Sequence, residues 1–118
     1  MKYELMQIHL SDSEIMEINR SNDHSAIPKA KMKIAMQMDF SGVKASHIAS
    51  EAYSKGFYDH VSNIEANDLD EVYEIGNIGP EDAIERLGRM HSVSVGDIII
   101  DEEGNKFLVA SFGFKEVA

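Results

Sequence analysis

The sequence predicts an α+β fold, a small antiparallel sheet with three or four helices packed on one face, and three observations carry that prediction. The first is the C-terminal run from Met90 to Phe114, MHSVSVGDIIIDEEGNKFLVASFGF, which reads as one β-hairpin. Ile98, Ile99 and Ile100 form a β-branched run, Asp101-Glu102-Glu103-Gly104-Asn105 supplies the turn, and Phe107-Leu108-Val109-Ala110 returns. The second is a helix start at Ser11, where Ser11 can cap the amide of Glu14 while Glu14 reaches back and Leu10 staples onto Ile15. The third is the length, 118 residues, enough for one domain with a core that needs no metal or disulfide.

In chain order, Tyr3 to Leu10 alternates as a strand, with Tyr3, Leu5 and Gln7 on one side and Met6, Ile8 and Leu10 on the other. The Ser11 helix has Ile15, Met16 and Ile18 as its apolar side, and Asn19 to Ser25 reads as a polar loop. Ile27 to Phe40 carries two signals. Its apolar residues alternate as in a strand, yet Ala, Lys, Met and Gln are strong helix formers and Pro28 suits a helix start. Composition favours the helix, with the methionines as core filler.

Ala45 to Lys55 predicts a helix ended by Gly56, and Phe57 to Ala66 a strand. Asp68 to Glu71 has capping-box spacing and opens a helix with Leu69, Val72, Tyr73 and Ile75 inward, closed by Gly76-Asn77. Gly79-Pro80-Glu81 predicts one more short helix with Ala83, Ile84 and Leu87 inward. Gly104 can supply the positive φ that the hairpin turn needs, and Phe112-Gly113-Phe114 can bend the tail back over the hairpin.

Cysteine is absent, which excludes disulfides, thiolate catalysis and Cys-ligated zinc and fits a reducing compartment. MKYELMQIHL lacks the apolar stretch of a signal peptide, and no window approaches the roughly 20 apolar residues of a membrane span, so a cytoplasmic location is expected.

The net charge of −10 is concentrated in one segment. Between Gly56 and Glu85 there are nine acids and no Lys or Arg, while the remainder carries twelve acids against eleven bases. This segment repels phosphate, so neither direct nucleic-acid binding nor membrane binding is expected through it. Two explanations compete: a solvated, solubilising face, or a surface for a basic protein partner. Helix dipoles explain some of the acids structurally. On the second explanation the partner-binding residues are Asp68, Asp70, Glu71, Glu74, Glu81, Asp82 and Glu85.

Catalytic constellations are weak. His9, His24, His47, His60 and His91 show no HxH, HExxH or i, i+4 pairing, and there is no GxSxG or phosphate-binding glycine loop. His91 and Ser92 are neighbours, but adjacent residues of an extended segment point to opposite sides. No catalytic residue, cofactor or metal is expected.

Two stretches, FYDHVSNIEANDLDEVYEIGNIGPEDAIERLGRMHSVSVGDIIIDEEG and NKFLVASFGFKEVA, resemble small accessory proteins of tailed bacteriophages and mobile elements. These share a strand, an acidic DLDEVYEIGN-type helix and an ending of the type SVSVGDII, G, GF, which is also similar to YodL-like modules. The resemblance covers about the last 60 residues and implies a viral context with no established activity. Three readings follow. The first is a non-enzymatic accessory protein that binds a basic host protein through its acidic helices. The second is a small-barrel nucleic-acid-binding module using Lys106, Lys115, Phe112 and Phe114, and the third an enzyme or metal protein using His60 or His91. The first is preferred, and the edges of the small sheet leave pairing with a second copy open.

Overall fold

The computed structural model describes residues 1–22 and 27–117. Among them are strands β1 (Lys2–Ile8), β2 (Tyr58–Glu65), β3 (Ile84–Arg86), β4 (Ile98–Ile100), β5 (Lys106–Val109) and β6 (Phe114–Val117). The helices are α1 (Asp12–Ser21), α2 (Pro28–Met38), α3 (Val43–Ser54) and α4 (Leu69–Asn77), with a 3₁₀ turn at Glu81–Ala83. The strands form one antiparallel sheet in the order β3-β2-β1-β4-β5-β6. This is the α+β fold the sequence predicts, with the N-terminal strand between the β2 strand and the C-terminal hairpin.

The helices divide between the two faces of the sheet instead of packing on one face as expected, and the isoleucine run explains why. Ile98 and Ile100 point into one core with Met36, Ala45, Ala49, Ala52 and Leu108, beneath α2 and α3. Ile99 points into the other with Leu5, Ile64, Val72, Ile75 and Val109, beneath α4. A strand apolar at consecutive positions is stable only where both faces are covered. Ala45, Ala49 and Ala52 recur at helical spacing, and their small side chains let α3 lie close to the sheet.

Strand β2 needs a bulge to serve both cores. Leu5 pairs with Ser62 and Met6 with His60, which leaves Val61 as the extra residue. The bulge resets the alternation, so Tyr58 faces the α2–α3 core while Val61 and Ile64, three apart, share the α4 core.

Helix α1 begins as expected. Ser11 Oγ accepts from Glu14 N at 3.2 Å and Glu14 Oε1 accepts from Ser11 N at 2.8 Å. It continues to Ser21, through the start of the expected polar loop; residues 23–26, including His24, lie outside the described residues. Met16 is exposed and Ile18 is the buried member of its apolar side. Helix α2 confirms the composition signal over the alternation, with Pro28 in its first turn. Met36 fills the core as expected, whereas Met38 is exposed.

Residues 81–86, Leu87 and Tyr73 depart from what the sequence predicts. Residues 81–86 form a 3₁₀ turn and an edge strand instead of a helix. Ser62, Asn63 and Ile64 offer backbone partners to Arg86, Glu85 and Ile84, and a helix of so few residues has little intrinsic stability against such pairing. Leu87, expected inward, is half exposed. Tyr73 of α4, also expected inward, points outward, because Val72 and Ile75 already cover that part of the sheet.

Gly76 is not the helix stop. It lies inside α4, and the chain turns at Gly79, whose φ is +110°. A Cβ at Gly76 would fall inside contact distance of Val93 Cγ2 and 3.3 Å from Val93 Cβ. Glycine therefore lets α4 sit directly on the 90–95 loop. In an exposed helix Gly→Ala gains about 1 kcal/mol; here Gly76→Ala is expected to cost about 1–3 kcal/mol through overpacking. Urea unfolding checks the sign.

The C-terminal tail bends at Gly113, where φ is +75°, and returns beside β5 as the edge strand β6 with Val117 in the core. It extends the hairpin in the plane of the sheet instead of covering it.

Candidate functional site

The seven acids expected to bind a partner fall into two groups with different duties. Asp68 Oδ1 caps α4 by accepting from Glu71 N at 2.8 Å, and Glu71 reaches back to Asn67 N at 3.2 Å, one residue beyond a standard capping box. Glu81 accepts from Arg86 Nε at 2.6 Å, and this hydrogen bond holds its carboxyl below the usual range. Glu85 accepts from Asn63 Nδ2 at 2.7 Å and lies 4.0 Å from Lys2 Nζ. Asp70, Glu74 and Asp82 are exposed with no such partner among the described residues. Because residues 84–86 are a strand, Glu81, Asp82 and Glu85 lie at the sheet edge and not on a second helix beside α4.

Asp70 lines a groove of about 220 Å³ between α4 and the β5–β6 turn. Tyr73, Val95, Val109, Ala110 and Phe114 supply its apolar lining. Tyr73 is 44% exposed, and Phe112, in the turn beside the groove, is 79% exposed. Folding thus unites the acidic helix with Phe112-Gly113-Phe114, two features far apart in sequence. The acidic field extends further: Tyr3 has its phenol pKa raised by burial, then by Asp101, Asp68 and Glu102, so the hairpin turn adds negative charge near the start of α4. Such a groove can take an apolar side chain while Asp70 and Glu74 meet a Lys or Arg.

A buried polar cluster was not anticipated. Gln7 is 0% exposed and Asp97 2% exposed. The two amide hydrogens of Gln7 are donated to His91 O at 2.9 Å and Asp97 Oδ2 at 3.0 Å, and its Oε1 accepts from His91 N at 3.1 Å. Asp97 Oδ2 also accepts from Ser94 N at 2.9 Å. His91 Nδ1 lies 2.7 Å from Ser92 O, which can only accept, so Nδ1 carries a proton. The 3.1 Å approach of Gln7 Nε2 to the same atom is then a contact between donors.

The cluster clamps the 91–97 loop onto β1. Tyr58 adds a second clamp by donating to Gly96 O at 2.6 Å. Burial pushes the Asp97 carboxyl up to about 7, against the lowering effects of the Ser94 amide, Gln7 and Lys33. His9 meets His91 edge-to-face at 5.1 Å, and both Nε2 atoms are buried without hydrogen-bond partners among the described residues. Burial, then His91, lowers the His9 pKa. A polar residue alternating with Tyr3 and Leu5, and an acid within the apolar VGDIII run, were the available signals.

Among the described residues no three His, Asp or Glu side chains are placed to hold a metal ion. His60 sits on the surface, with Nε2 2.8 Å from Asn63 Oδ1 and Nδ1 3.5 Å from Glu4, and His91 belongs to the clamp. The residues named for a nucleic-acid groove separate. Lys106 Nζ lies over the Tyr53 ring of α3 at 5.0 Å and Lys115 approaches Gly42, whereas Phe114 packs on the α4 side. The linear strand order leaves the sheet open, not closed into a barrel. No described helix is long and apolar enough to cross a membrane.

Compared with protein-family models, curated proteins and solved structures, the chain finds no match.

Proposed function

We propose that this chain is a non-catalytic, phage-type accessory protein that acts in the host cytoplasm by binding a basic host protein through the groove beside α4. The observation that carries the proposal is a groove lined by Asp70, Tyr73 and Phe114, with Glu74 one helical turn from Asp70 and exposed Phe112 in the adjoining turn, the two carboxylates having no hydrogen-bond or ion-pair partner among the described residues. Aromatic anchors in a concave site supply most interface affinity, and charges at the rim speed encounter and select the partner's sign. The binding role narrows to Asp70 and Glu74; Asp68, Glu71, Glu81 and Glu85 serve caps and pairs of the fold, and Asp82 lies at the far edge.

The test is affinity capture from bacterial lysate with wild type and with variants whose circular dichroism is unchanged. Recovery of a specific basic protein is expected to fall at least about tenfold with Phe112→Ser or with Asp70→Lys plus Glu74→Lys. Asp82→Asn is expected to leave recovery unchanged. Equal recovery by wild type and the groove variants would mean that the acids only solubilise the protein.

A further inference from the structure

The segments carrying α2–α3 and α4 differ in charge, although α1, which meets α2 through the Glu14–Lys29 pair at 3.6 Å, brings three acids and one Arg beside the lysines. Residues 27–55, which include α2 and α3, hold five lysines (Lys29, Lys31, Lys33, Lys44 and Lys55) against Asp39 and Glu51, whereas residues 56–85, which include α4, hold nine acids and no Lys or Arg. On the basic side α2 and α3 leave a groove of about 450 Å³ with Pro28, Met32, Ala35 and Ile48 as its floor and Lys31 and Lys55 at its rim. Glu51 also lines it and pairs with Lys55 at 3.1 Å, so the net positive charge of the rim comes from Lys31. Helical spacing carries the apolar stripe from Ala35 to Met38, which is 73% exposed.

We propose that this groove receives the outer face of α4 from a second copy of the chain. Asp70, Tyr73, Glu74, Asn77 and Ile78 follow the spacing of one helical face. Tyr73 and Ile78, the latter 84% exposed, match the apolar floor, and the carboxylates of Asp70 and Glu74 face the positive charge that Lys31 gives the rim. The two surfaces lie on opposite sides of one sheet, so a single molecule cannot satisfy itself. The contact joins unlike surfaces, which makes the association head-to-tail and not two-fold. The net charge of −10 opposes it, but at physiological ionic strength screening over about 8 Å confines that repulsion while pairs in contact persist. This proposal rests on the reading of α4 as a docking surface and adds a second occupant, which competes there with the host protein.

Sedimentation velocity on the full chain tests it. Wild type is expected to form species larger than the 13.2 kDa monomer as concentration rises at physiological salt. Lys31→Glu/Lys55→Glu and Asp70→Lys/Glu74→Lys are each expected to stay monomeric alone and to recover the larger species when mixed, because each supplies the half that the other lacks. A wild type that stays monomeric, association that survives in either variant alone, or a mixture that does not recover would overturn the proposal. Amide shifts of concentrated wild type give a readout that needs no variant: both residues 70–78 and residues 31–55 must respond. A monomeric wild type whose host-protein capture still depends on Asp70 and Glu74 removes this inference alone. Self-association with capture indifferent to those residues removes the proposed function alone.

Discussion

Gln7→Leu is expected to destabilise the fold by about 4 kcal/mol, a large effect for a substitution that keeps side-chain volume nearly constant. The cost lies in the polar groups left behind. Asp97 Oδ2 would keep only the Ser94 amide, and both the N–H and the carbonyl of His91 would lose their Gln7 partner. Each buried group left unpaired costs about 1–3 kcal/mol. The loss would spread, because the same loop carries Val93, against which Gly76 of α4 packs, and Val95, which lines the groove. Urea unfolding measures it, and a double-mutant cycle with Asp97→Asn should show strong coupling. A loss below about 1 kcal/mol would mean that the clamp contributes little.

The second large effect concerns pH. The Asp97 carboxyl has its pKa raised to about 7 from 3.8, so between those values the folded state binds a proton that the unfolded state does not. Its contribution is present below pH 3.8 and is lost as pH rises through 7, a change on the order of 4 kcal/mol at 1.36 kcal/mol per unit. His9 acts with the opposite sign. Its folded pKa is lowered from 6.5, so its contribution is present above that value and is lost as pH falls. The two offset each other in mildly acidic solution, and Asp97 dominates the loss of stability toward higher pH. Asp97→Asn removes the titration while an amide oxygen can still accept from Ser94. Thermal unfolding across the neutral range should show wild type losing stability up to about pH 8 and the variant holding nearly level. Parallel profiles for the two proteins would contradict this assignment.

Local chemistry made most of the fold legible. The Ser11 cap, the Asp68 start and the Ile98–Ile100 hairpin depend on neighbours in sequence, and each lies where its residues predict. What was not legible depends on distant partners. Residues 84–86 look helical until β2 offers an edge, Gly76 looks like a stop until Val93 lies against it, and Tyr73 looks buried until Val72 and Ile75 fill the core. The candidate site divides in the same way. Asp70 and Glu74 could be named from charge, but their neighbour Phe114 reaches the groove only because β6 pairs with β5. Gln7 and Asp97, 90 positions apart, give no sign of meeting in a single sequence.

The docking role of α4 is decided by titrating the isotope-labelled chain with a lysine-rich peptide carrying one tryptophan and following backbone amide shifts. Shifts concentrated at residues 70–74 and 109–114, and abolished by Asp70→Lys plus Glu74→Lys, are the predicted result. Shifts confined to the 81–86 edge or to α2 and α3, or a response indifferent to those two substitutions, would contradict it.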